Sequence, residues 1–130
     1  MTDKAQTALD LSRTKALAYV GTTDEDGRPQ VSPVWIDVID GKPAFNTAAG
    51  RAKERNLRRD PRISLAIADP ENSYTYVEVQ GTATLTEEGA DDFIDALAKK
   101  YLDKDSYPFR TPGEKRVTVL IEPEKYFGQG

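Results

Sequence analysis

Two Asp-Gly pairs, Asp26-Gly27 and Asp40-Gly41, each lie between short runs rich in apolar and β-branched residues, and they decide the topology of the first third of this chain. Glycine accepts the positive φ that hairpin turns demand, so each pair is expected to reverse the chain between neighbouring strands. The flanking runs, Leu17 to Thr23, Gln30 to Val38 and Pro43 to Thr47, predict three antiparallel strands in a meander. Further on, Ile63, Leu65 and Ile67 alternate with Ser64, Ala66 and Ala68 until Asp69-Pro70 ends the run. Tyr74 to Leu85 puts Val77, Val79, Ala83 and Leu85 on one face and Tyr76, Glu78 and Gln80 on the other. Gly81 interrupts that run and is expected at a bulge or bend of the kind a closed sheet needs at its corners. Arg116 to Glu122, with Val117, Val119 and Ile121 on one side, is the sixth strand.

The hydrophobic period becomes helical in three places. Ala5, Ala8, Leu9 and Ser12 predict a helix over about Asp3 to Lys15, with Thr2 or Asp3 as its cap. Arg51 to Arg59 reads as a short helix stopped by Asp60-Pro61. Ala90, Phe93, Ile94, Leu97, Ala98, Tyr101 and Leu102 form an apolar stripe on a helix that Thr86 can cap. Six mostly antiparallel strands with three short helices give an α+β fold built on a small barrel, not a parallel βαβ sheet. The 130 residues show no repeat or low-complexity linker, so one domain over 1–130 is expected.

The chain has no histidine and no cysteine. Disulfides, thiolate nucleophiles, Cys/His zinc sites, His-ligated haem and imidazole bases are therefore excluded. Any chemistry must come from Asp, Glu, Lys, Arg, Tyr, Ser or Thr, or from an organic cofactor. Asp91-Asp92, Glu87-Glu88 and Asp24 to Asp26 read as solvated charges at turns and helix starts, and no metal site is expected. Glycine-rich phosphate loops are absent. No apolar run approaches the roughly 20 residues of a membrane span, and the N-terminal segment has neither a signal-peptide nor a lipidation pattern. A cytoplasmic protein is expected.

The formal charge is −4, yet Arg51, Lys53, Arg55, Arg58, Arg59 and Arg62 face only Glu54 and Asp60 between positions 51 and 62. That segment carries +4, and the rest of the chain −8. One concentrated basic segment on an acidic protein describes a shaped anion site; a nucleic-acid footprint needs a basic domain with interleaved aromatics, so none is expected. A helix start offers free N–H groups and the positive dipole end. With Arg51 and Lys53 in the first turn and Asn56 one turn on, the segment can close around a phosphate. The same charges also suit a solvated helix paired through Glu54 and Asp60. In the strand from Gln30 to Ile36, Pro33 cannot donate to a ladder and belongs at an edge or bulge. Trp35, the only tryptophan, shares a face with Pro33 and Val31. A flat aromatic beside free backbone suits a planar ring, though it suits a core or interface as well.

The order Gly27-Arg28-Pro29-Gln30-Val31-Ser32-Pro33-Val34-Trp35, then Phe45-Asn46-Thr47, then Arg51-Ala52-Lys53-Glu54-Arg55-Asn56-Leu57-Arg58-Arg59-Asp60-Pro61-Arg62, resembles the pyridoxamine 5'-phosphate-oxidase-like split β-barrel superfamily. The last of these runs, with Glu78-Val79-Gln80-Gly81-Thr82-Ala83, is most similar to its short deazaflavin (coenzyme F-420)-dependent reductases. The resemblance runs from about Leu17 to the C-terminus. It implies an FMN-binding-type split barrel and a homodimer with two cofactor sites at the subunit interface. It implies coenzyme F-420 as cofactor, with FMN as the alternative, and hydride transfer to a small electron-poor acceptor such as an enone, quinone or conjugated lactone. Arg51, Lys53 and Asn56, with Ala52 between them, match the phosphate-binding positions. Thr47 matches a hydroxyl position near the phosphate-bearing chain, and Gln30, Ser32, Pro33, Val34 and Trp35 match the strand along the ring. The charge of Arg55, Arg58 and Arg59 suits the oligoglutamate tail of the deazaflavin. No catalytic side chain is assigned; water, Ser32, Tyr76 or Tyr126 is the expected proton source. The chain ends in Tyr126-Phe127-Gly128-Gln129-Gly130, without the Arg-rich C-terminal motif of the full oxidase, so pyridoxal phosphate synthesis is not expected. A non-catalytic flavin or deazaflavin carrier is the remaining reading.

Overall fold

The computed structural model describes residues 3–129. Helix α1 (Asp3–Ser12) leads into strands β1 (Leu17–Thr23), β2 (Pro29–Ile39) and β3 (Lys42–Ala48), helix α2 (Ala52–Arg59), strands β4 (Arg62–Asp69) and β5 (Asn72–Thr86), helix α3 (Ala90–Leu102) and strand β6 (Arg116–Gln129). Both Asp-Gly pairs turn as expected. Asp40 and Gly41 both have positive φ, 52° and 73°, the requirement of a tight primed turn. In the first hairpin Asp24 closes a longer loop: its carboxylate accepts from the N–H groups of Asp26 and Arg28, each at 2.9 Å.

The six strands close into an antiparallel barrel in the order β1-β2-β3-β6-β5-β4, with β4 returning to β1. Alternate residues fill it: Val20, Ile36, Phe45, Leu65, Ile67, Val79, Val119 and Ile121 are all buried. Ala8 and Leu11 of α1 and Leu57 of α2 join the same cluster, so both helices are fixed by the core. Truncating one such buried leucine to alanine typically costs about 2–5 kcal/mol.

Gly81 stands where the β5–β6 register shifts, since Gln80 faces Lys125 and Gly81 faces Pro123, leaving Glu124 as the extra residue. A Cβ at Gly81 would lie 2.1 Å from the carbonyl oxygen of Glu122; only glycine permits that approach. This bulge carries β6 past Pro123 to Gln129, well beyond the Glu122 limit expected from the sequence.

Three helix boundaries also differ. The α1 helix ends at Ser12, short of Lys15, and Thr2, one of its two expected caps, lies outside the described residues. Helix α3 starts at Ala90 with left-handed Gly89 as its N-cap. Thr86 instead closes a turn ahead of it, accepting from the N–H of Glu88 at 3.2 Å. Arg51 is the N-cap of α2, not a first-turn residue; Glu54 reaches back to the N–H of Gly50 at 2.9 Å and steadies that end.

The barrel is split along one seam. Strand β2 pairs with β1 from Pro29 to Trp35, but with β3 only from Ile36 to Ile39. Beyond the Ile36–Phe45 pair, β3 follows β6 and the two strands part. No described helix is long and apolar enough to cross a membrane.

Candidate functional site

A cavity of about 370 Å³ occupies the seam, within the usual size range of small-molecule sites. Pro33, Val34 and Trp35 of β2 form one wall, and Asn46 and Thr47 of β3 the other. Pro33 is explained by this placement. The N–H and C=O of Ile36 point away from the seam, both bonded to the Tyr101 hydroxyl on the β1 side. Strand alternation therefore turns the missing N–H of Pro33 toward the unpaired edge, where it breaks no ladder.

One end of the cavity is cationic. Arg51 and Lys53 come from the start of α2 and Arg116 from the start of β6. The Lys53 ammonium donates to Ser32 Oγ at 2.7 Å. No described carboxylate lies within ion-pair distance of it. Burial, and then the neighbouring Arg51 charge, hold its pKa below the ordinary 10.5. Arg116, 3% exposed at its side chain, is bound by Glu114 at 2.7 Å and donates to Asn46 Oδ1 at 2.8 Å. Glu114, itself 7% exposed at its side chain, reaches Arg51 at 3.3 Å. Burial pushes the Glu114 pKa up, but the bonds and charges of Arg116 and Arg51 and the Thr111 hydroxyl outweigh it, and the net shift is down. Three cations thus face one carboxylate, a surplus of two positive charges.

The rest of the lining is apolar and aromatic, with Leu17 on β1, Ile94 and Leu97 on α3, and Tyr107 and Phe109 on the loop between α3 and β6. Trp35 stacks on Tyr101 with centroids 5.3 Å apart and planes within 7°. Tyr107 stands edge-on to Trp35 at 6.0 Å. The Tyr101 hydroxyl also donates to the Ala16 carbonyl at 2.6 Å, so α3 fixes the ring against which Trp35 rests.

Six of the expected positions line this cavity: Pro33, Val34, Trp35, Thr47, Arg51 and Lys53. Ser32 touches it through Lys53. Asn56 and Gln30 stand back from it. Buried Asn56 donates to Thr22 Oγ1 at 3.1 Å and Gln30 Oε1 at 2.8 Å, tying α2 to the first hairpin. Ala52 opens α2, where N–H groups have no intrahelical acceptor. Tyr76 and Tyr126 are not among the lining residues. No group of three potential metal ligands occurs among the described residues. Asn46, Arg116, Tyr107 and Phe109 escaped the sequence reading. Two aromatics inside a polar, proline-containing loop were the available signal for the last pair; Arg116 opens an apolar strand and gave none.

The whole chain, residues 1–130, matches the family model described as pyridoxamine 5'-phosphate oxidase. Among solved structures it is similar to an F420 reductase at 27% identity and a TM-score of 0.78, covering 92% of this chain and 95% of that one. It is similar to a conserved hypothetical protein from Mycobacterium tuberculosis at 26% identity and a TM-score of 0.70, covering 97% and 82%. HupZ from Group A Streptococcus aligns at 26% identity and a TM-score of 0.65, covering 94% and 90%.

Proposed function

The chain belongs to the pyridoxamine 5'-phosphate oxidase family, and from that premise we propose that the seam holds the phosphate and ring of coenzyme F-420 in an oxidoreductase that reduces small electron-poor double bonds. The observation that carries this reading is Lys53: a half-buried ammonium with no described carboxylate beside it, at the cationic end of an aromatic-lined cleft. Burying a cation without a counter-charge is costly, and an anionic ligand removes the cost. The donor set fits the cofactor. Lys53, Arg51 and the free amides at the start of α2 take the phosphate, Thr47 flanks the chain attached to it, and Pro33 to Trp35 lie along the ring. Arg55, Arg58 and Arg59, all exposed on α2, offer charge to an oligoglutamate tail.

When bound in its reduced form, the deazaflavin supplies a hydride from C5 to an enone, quinone or conjugated lactone, and a proton completes the reduction. The protein's own part is to orient the acceptor, exclude water and deliver that proton. Ser32 is one hydroxyl near the cleft that could serve the last task. Of Ser32, Tyr76 and Tyr126, it alone is bonded to a cavity-lining side chain, the Lys53 ammonium.

The surplus of two positive charges also matches the dianionic phosphate of FMN, which makes FMN the second reading. Parallel titration of the purified protein with F-420 and FMN, followed by absorbance and fluorescence, separates them. Saturable one-to-one binding of F-420 with weaker FMN binding is expected, and binding of neither overturns the reading. Turnover of a quinone and enone panel with reduced F-420 then separates an enzyme from a carrier.

A further inference from the structure

We infer that the loop between α3 and β6 forms the acceptor-facing wall of the cleft, and that Phe109 on it is a specificity-determining residue favouring flat, fused-ring acceptors. The inference rests on the oxidoreductase reading above and assigns the acceptor class of the same site.

Phe109 is 63% exposed, yet it does not sit on a loose tip. On one side the N–H of Tyr107 donates to Asp95 Oδ1 at 2.8 Å, and the Tyr107 ring lies over the buried Arg116 guanidinium, 5.1 Å from its centroid. On the other side Arg110 binds Asp91 at 2.7 Å and Asp95 at 2.5 Å. Pro108 restricts the backbone between these anchors. The loop is therefore pinned to α3 on both sides of a phenyl ring that remains largely in water. That exposure is unfavourable for an apolar ring, and it occurs at a cavity lining. The ring packs edge-on against Tyr107, with centroids 5.7 Å apart, and Tyr107 packs edge-on against Trp35. Three linked aromatics thus line the cleft, Tyr107 resting against Arg116 and Phe109 packed on Tyr107. Such a surface rewards a rigid ring system with offset and edge contacts, and gives little to a short acyclic acceptor.

The test uses 2-methyl-1,4-naphthoquinone and the emission of Trp35, the chain's only tryptophan. In cofactor-free protein, saturable quenching is expected, and Phe109→Ala should raise the apparent Kd about fivefold or more, with Phe109→Leu in between. In F-420-loaded enzyme, Phe109→Ala should raise KM for the naphthoquinone by a similar factor, while KM for the small acyclic enone but-3-en-2-one stays within about twofold. The variant should bind F-420 as tightly as the parent. No quenching in the parent protein, an unchanged Kd in Phe109→Ala, or an equal KM rise for both acceptors overturns the inference. Phe109-dependent quinone binding in a protein that binds no F-420 would instead sink the cofactor reading and leave this wall standing as a ring-binding surface.

Discussion

At Lys53 burial and a neighbouring cation both work against the charged form, and the fold gives it a hydroxyl in place of a carboxylate. Removing the ammonium in Lys53→Ala is expected to weaken F-420 binding by about 1.5–3 kcal/mol, the range for a hydrogen bond to a charged group. The thermal midpoint should hold or rise, because a desolvated charge disappears with it; fluorescence titration and thermal melts check the two halves. The pH dependence follows from the direction of the shift. A lysine is charged below its pKa, so affinity for the anionic cofactor should be full near neutrality. It should fall as pH rises through the depressed Lys53 pKa, earlier than for a solvated lysine. The ligand-free protein should behave oppositely. Between that depressed pKa and the ordinary 10.5 the unfolded chain binds more protons, so stability gains with rising pH there. Lys53→Arg, which does not titrate in this range, should flatten the binding profile. Lys53 and Arg51 were legible because their position depends only on a local helix start. Arg116 was not, because its value comes from Glu114 and from Asn46, 70 residues away.

Helix α3 tethers the strand that borders the seam, and a bulge shapes the β5–β6 pair elsewhere in the barrel. The Tyr101 hydroxyl accepts from the Ile36 N–H at 3.1 Å and donates to the Ala16 carbonyl, taking up backbone groups just beyond the last β1–β2 pair, while its ring supports Trp35. Tyr101→Phe should therefore lower stability by about 1–3 kcal/mol in urea unfolding and alter the emission of Trp35. A change in neither would show that the hydroxyl is not a tether. At Gly81 an added methyl meets a carbonyl at 2.1 Å, so Gly81→Ala should destabilise by about 1–3 kcal/mol, the usual range for overpacking. Periodicity revealed Gly81 and the apolar stripe of α3, since both are written in short-range patterns. It lost β6 at Pro123, because the compensating bulge needs the facing strand to be seen.

On the whole molecule, exposed Tyr19, Val31, Tyr76 and Phe127 lie on the outward faces of their strands. The register joins Tyr19 to Pro33 and Ala66, and Tyr76 to Ala68. An apolar outer face that runs over five neighbouring strands, β2, β1, β4, β5 and β6, is more than scattered surface hydrophobics require. We propose that a second copy covers it, which would set two seams near one interface. Light scattering after size exclusion should give twice the chain mass at micromolar concentration, and Tyr76→Lys should shift it toward the monomer. A monomeric parent protein would leave the cleft to be built by one chain alone.

Strand and helix order, the turns at Asp-Gly and the basic helix start followed from the sequence by itself, because hydrogen-bonding period, turn φ and local charge are properties of neighbouring residues. Tertiary structure alone decided where the barrel parts, which rings meet Trp35, and that Arg116 lines the same cavity as Lys53 while Asn56 and Gln30 brace the helix behind it. These depend on closure of six strands, and closure brings together residues far apart in the chain.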